Sequence, residues 1–164
     1  MVTDLVIELQ GAYYSTPGKY SVKELAVLSL DGCYEQYVMF KPQTPFNTLC
    51  SEEKKMAMWL TNTYHGIPYE SGTVPYSLLP TMFSIVQLNT KVYAKGCEKS
   101  KFLSLLLNKN VYNVETMFEW ASLKQLRRNA TAKHLCIFHA QNNGNICALN
   151  DAHIIRNKLC NILA

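Results

Sequence analysis

The chain has 164 residues, of which 48% are apolar and 17% charged. That balance excludes a disordered chain and suffices for one compact domain, 1–164, with its own core. The net charge of +4 admits an acidic partner such as RNA without requiring one, and equally fits a mildly basic solvated surface. No apolar run approaches a membrane span, and the start Met-Val-Thr-Asp-Leu-Val-Ile-Glu has an early acid and no basic segment, unlike a secretory leader.

Taken in chain order, residues 5–10 form an apolar run that ends in alternation, the signal of a first strand. Pro17-Gly18 marks a turn between Gly11 and Tyr20. Residues 23–30 and 36–41 read as a second and a third strand, joined by a hairpin turn at Asp31-Gly32. Three adjacent antiparallel strands follow, ended by Pro42 and Pro45. Residues 51–60 predict a helix with Ser51 as its cap and acids in its first turn. Residues 75–88 predict a second helix, with Leu78, Leu79, Met82, Phe83 and Val86 inward and a possible kink at Pro80. A strand over 91–95, a helix over 98–107 and a strand over 110–114 come next. Residues 147–163 predict a closing helix with Leu149, Ala152, Ile155, Leu159 and Ile162 inward.

This order implies an α/β fold: a mixed five-stranded sheet, three antiparallel N-terminal strands and two parallel ones, with helices on both faces. The layout is similar to RNase H-like domains.

Six cysteines without a leader suggest reduced thiols, some of them metal ligands. Cys136, His139 and Cys147 lie close together in sequence, and two thiolates with an imidazole suit Zn²⁺. Spacing alone leaves another reading open: Cys136 a buried strand residue, Cys147 a small residue on a helix face, His139 bonded locally. Cys33, Cys50, Cys97 and Cys160 lack such neighbours. His65 reads as a turn residue, and His134 and His153 as spare ligands.

Proofreading-type exonucleases of the RNase H-like class place an Asp-x-Glu on the first strand, an Asp after the fourth, and a His five residues before a last Asp. Together these hold two Mg²⁺ ions and activate water. Here the first-strand pair becomes Glu8 and Gln10. The next position falls near Lys99, with Glu98 beside it, and a lysine there would repel the metal. Asp151 fits the last Asp, but Ile146 stands where the His belongs. Two-metal nuclease activity is therefore not expected, and Glu8 and Asp151 become leftover cleft residues or partners of nearby lysines.

A fold of this kind with Cys-x2-His and a nearby Cys resembles the Maelstrom domain of animal piRNA-pathway proteins. That family carries a Glu-Cys-His-Cys zinc site on an RNase H-like fold without catalytic carboxylates. Its Glu matches Glu24 in Val22-Lys-Glu24-Leu-Ala-Val, so the resemblance implies a zinc held by Glu24, Cys136, His139 and Cys147. Thr63-Tyr-His65-Gly-Ile-Pro68 looks like the family's Thr-His-x-Ile-Pro segment with one residue inserted. The resemblance also implies single-stranded RNA binding in small-RNA silencing of transposons, protein partners in a silencing complex, and a cytoplasmic (perinuclear granule) or nuclear location. Metal-independent RNA cleavage and a catalytically dead interaction scaffold are the alternatives.

Two basic groups suit RNA: Lys95, Lys99 and Lys101 after the fourth strand, and Lys124, Arg127, Arg128 and Lys133 before the cysteine segment. Tyr13, Tyr14 and Tyr20 are candidates for base stacking. Solvated helix faces and ordinary strand packing explain the same residues equally well. Aromatic residues within 64–76 would serve a scaffold instead.

Overall fold

The computed structural model describes residues 3–13, 20–142 and 146–164. The expected turn at Pro17-Gly18, Tyr14, and the Asn143-Gly144-Asn145 segment lie outside them, as does the side chain of Tyr13. Five strands make one sheet: β1 (Leu5–Tyr13), β2 (Tyr20–Ser29), β3 (Glu35–Met39), β4 (Val92–Ala94) and β5 (Val111–Asn113). Their spatial order is β3-β2-β1-β4-β5. β1 pairs antiparallel with β2, and β2 with β3; β4 lies parallel to β1, and β5 parallel to β4. The sheet is therefore mixed, with the expected division between its N-terminal and C-terminal parts.

β1 is central and its residues 5–10 are all buried, because helices cover both faces. Successive strand side chains point to opposite faces. Leu5, Ile7 and Leu9 join Leu25, Val27, Phe40, Leu79, Phe83 and Leu103 in one core. Val6 faces the other way, toward Ile155 and Leu159 of α6 (Ala148–Leu163). Glu8 and Gln10 share that second face with Val6. A register shift between Gln10 and Gly11 bulges β1, and a Cβ at Gly11 would meet the Ser21 carbonyl oxygen at 2.0 Å. Only glycine admits so close a backbone approach.

α1 (Ser51–Trp59) is capped one residue earlier than expected. The Cys50 amide donates to the Glu53 carboxylate at 2.9 Å, and Ser51 is already helical. A single π-type turn, Leu60–Tyr64, continues it. The expected helix over 75–88 is instead a 3₁₀ segment, Tyr76–Phe83. Pro80 lacks an amide proton and crowds the preceding turn, so the chain takes tighter i→i+3 bonds such as Leu78 N–H to Pro75 C=O at 3.0 Å. Leu79 and Phe83 point inward as expected, whereas Leu78 is exposed.

α2 (Cys97–Leu107) packs on β5 and β4. Short helices α3 (Val114–Met117), α4 (Leu123–Asn129) and α5 (Ile137–Gln141) lead to α6. α6 buries Leu149, Ala152, Ile155 and Leu159, but Ile162 in its last turn is exposed. Among the described residues no helix is long and apolar enough to cross a membrane.

Candidate metal centre

Glu24, Cys136, His139 and Cys147 are all buried, and their ligand atoms lie within 4.8 Å of one another. They arrive from three parts of the fold. Glu24 sits on β2 with its side chain toward the α6 face. Cys136 is the cap of α5 and accepts the His139 amide at 3.5 Å. That one helical turn places the His139 ring against the same sulfur, with Nδ1 3.1 Å from Cys136 Sγ. Cys147 caps α6, and its Sγ accepts the Cys136 amide at 3.4 Å. His139 Nδ1 lies 3.5 Å from Glu24 Oε1.

Outer contacts orient these groups. The His139 Nε2–H donates to the His65 carbonyl at 2.7 Å, so in the neutral ring Nδ1 is the lone-pair nitrogen turned to the cluster. His65 is itself held by the Ile67 amide, which donates to its Nδ1 at 3.0 Å. Burial, then the neighbouring His139 and Lys23, push the His65 ring down to about 4, so it stays neutral. The Tyr37 hydroxyl donates to Glu24 Oε1 at 2.6 Å. Glu24 Oε2 is buried without a hydrogen-bond partner.

Burial and mutual contact shift the titration of the cluster's groups. Burial drives the Glu24 carboxyl up to about 7 against the pull of His139 and Tyr37. Contact with the Cys147 thiol, aided by His139 and opposed by burial, holds the Cys136 thiol below its usual range. The Cys147 thiol is correspondingly raised. A divalent cation would supply the missing partner for Glu24 Oε2 and offset the buried negative charge. The four groups can therefore hold a metal ion. His134 and His153 are not in the cluster: their rings stack at 3.9 Å, and His153 Nε2 is 2.8 Å from Glu35 Oε2.

Next to this cluster lie the positions compared above with nuclease carboxylates. Gln10 pairs with Glu24 across β1 and β2, and its amide donates to Asp151 Oδ2 at 3.2 Å. Arg127 grips Asp151 through two bonds, Nε to Oδ1 at 2.7 Å and a terminal nitrogen to Oδ2 at 2.6 Å. Lys99 bonds Glu8 Oε1. Glu8 and Asp151 are fully buried, and each faces a protein cation. Burial still raises the Glu8 carboxyl to about 7, despite Lys99.

The seven basic residues expected at RNA thus divide. Lys95 pairs with Glu115, Lys99 with Glu8 and Arg127 with Asp151. Lys101, Lys124, Arg128 and Lys133 are exposed. Tyr20 does not stand ready to stack a base: it packs on the core against Phe102, with ring centroids 5.2 Å apart. A groove of about 690 Å³ opens between Tyr64, Lys124, Arg127, Arg128, Lys133 and Ile146. Among the described residues no acid lines it.

Sequence reasoning missed the Tyr37 hydroxyl and the His65 carbonyl as supports of the cluster. Tyr37 carried a faint signal, since a tyrosine opposite Ala26 shares a face with Glu24. The His65 carbonyl carried none, because any residue supplies a carbonyl.

Fold and site together define a mixed α/β domain with a buried Glu-Cys-His-Cys group able to hold a metal ion. A scan against protein-family models found no match, and a search of curated proteins found none either.

Proposed function

We propose that this is a zinc-stabilised, RNase H-like, Maelstrom-related domain that binds single-stranded RNA without two-metal nuclease activity, in small-RNA silencing. The observation that carries the RNA reading is the basic groove: exposed Lys124, Arg128 and Lys133 surround one opening beside Arg127, which Asp151 holds, with no acid among the described residues of its lining. Phosphates would meet a net positive charge there. The strand order β3-β2-β1-β4-β5 supports the fold comparison. The paired Lys99–Glu8 and Arg127–Asp151 groups support the loss of two-metal chemistry.

Zinc is the metal the donor set favours. Two sulfurs, one imidazole and one carboxylate match its mixed N/S/O preference, and four protein ligands leave no position for a reactive water. The ion would stabilise the fold by tying β2 to α5 and α6.

The test of RNA binding is a titration of a short single-stranded RNA at increasing salt. The reading requires affinity that falls steeply with salt, since each phosphate neutralised by a protein cation adds roughly 0.7 to the logarithmic slope. Changing Lys124 and Arg128 together to Ala should flatten it. No binding even at low salt would refute the reading.

A further inference from the structure

The basic groove adjoins a pair of aromatic rings that the core does not use. Trp59 ends α1 and Tyr64 ends the π-type turn that follows. Their rings stack, with centroids 5.5 Å apart and planes 20° from parallel. Trp59 remains 49% exposed and Tyr64 37%. Local structure anchors the segment that carries the pair: Ala57 and Leu60 are buried, and the His65 amide donates to the Leu60 carbonyl at 2.9 Å. Tyr64 also stands edge-on to His65, so it is held from behind.

Tyr64 belongs to both features. It lines the groove with Lys124, Arg127, Arg128 and Lys133. Exposed aromatic rings beside clustered cations suit an unpaired nucleotide: a ring stacks on the base and the cations take the phosphate. A protein partner matching the aromatic pair would also need to bring acidic groups to the groove, whereas a single nucleic acid strand carries both features on every residue.

We infer that Trp59 and Tyr64 form a base-stacking platform for an unpaired nucleotide whose flanking phosphates enter the Lys124–Arg128 groove. The inference rests on the RNA reading above and adds where a base is gripped. It replaces Tyr20, which the core already uses. The platform selects unpaired strands, because a base inside a duplex has no free face to offer, and it favours adenine, whose larger ring stacks over more area.

The chain has two tryptophans. Trp120 is half-buried under Lys158, so Trp120→Phe leaves Trp59 as the sole reporter. In that background, short oligoadenylate and oligouridylate are titrated by fluorescence and, independently, by filter retention. The inference requires saturable quenching of Trp59 that follows the binding curve, stronger with oligoadenylate and absent with duplex RNA. Trp59→Ala, checked by its thermal melt, should weaken oligoadenylate binding about tenfold or more without altering the salt slope. Trp59→Phe should restore most of that affinity. RNA bound without quenching, and unweakened by Trp59→Ala, would overturn the platform while the groove reading stands. A failure of RNA to bind in any readout at low salt would overturn both.

Discussion

Lys99→Met removes the cation that faces Glu8, and the pH dependence of the resulting destabilisation can be worked from the site. Glu8 is fully buried, and burial moves its carboxyl from 4.5 to about 7 even with Lys99 pulling it down. A folded state that holds a proton more tightly than the unfolded chain loses stability as pH rises. The loss runs at about 1.4 kcal/mol per pH unit between the two values, begins above 4.5 and is complete above about 7 in the native protein. Without Lys99 the carboxyl rises further, so the falling limb extends beyond 7 at about 1.4 kcal/mol per pH unit, toward the several kcal/mol typical of an abandoned buried charge. Urea unfolding of both proteins across neutral to mildly alkaline pH measures the difference, and Glu24 cancels because it is common to both. Glu8→Gln added to Lys99→Met should abolish the extra slope, since no charge is left to strand. Parallel profiles for native protein and Lys99→Met above neutrality would refute the claim that Lys99 neutralises Glu8.

Three further outcomes follow from the same geometry. Gly66 has φ +73 with no atom within 4 Å of an added Cβ, so Gly66→Ala meets backbone strain but no clash. It should cost about 1 kcal/mol in urea unfolding and, by shifting the adjacent His65 carbonyl off His139, lower metal affinity about tenfold in competition with a chromogenic chelator; unchanged affinity would remove the carbonyl from the centre's support. Mg²⁺ or Mn²⁺ should not support 3′-end trimming of a labelled single strand. Stepwise trimming lost on changing Glu8 and Asp151 together to Ala would contradict the cation-paired centre. Cys136→Ser and His139→Ala should each yield metal-poor, insoluble or unfolded protein, read by circular dichroism and metal analysis.

Much of the sheet was legible because its signals are local. The alternation over residues 5–10, the Asp31-Gly32 turn and the apolar spacing of 147–163 depend only on near neighbours. Pro80 was legible as an obstacle but not as a switch from α to 3₁₀ geometry, since Leu79 and Phe83 reach the core in either form. Ile162 fits the apolar stripe of α6 yet lies in the last turn, where no core remains to receive it. Spacing marked Cys136, His139 and Cys147 as candidates while leaving ordinary burial open, and the fold brings the three together. Glu24 came only from a family resemblance, because a strand carboxylate distant in sequence has no local mark of metal binding. Lys99 and Arg127 looked like RNA contacts for the converse reason: their sequence surroundings do not reveal that folding sets Glu8 and Asp151 opposite them.

Elemental analysis of the purified native chain decides whether a metal ion joins β2 to α5 and α6. The prediction is about one zinc per chain, retained through dialysis, with unfolding when a strong chelator removes it. A fully folded, soluble chain that contains no metal, and whose melting is indifferent to both zinc and chelator, would contradict it.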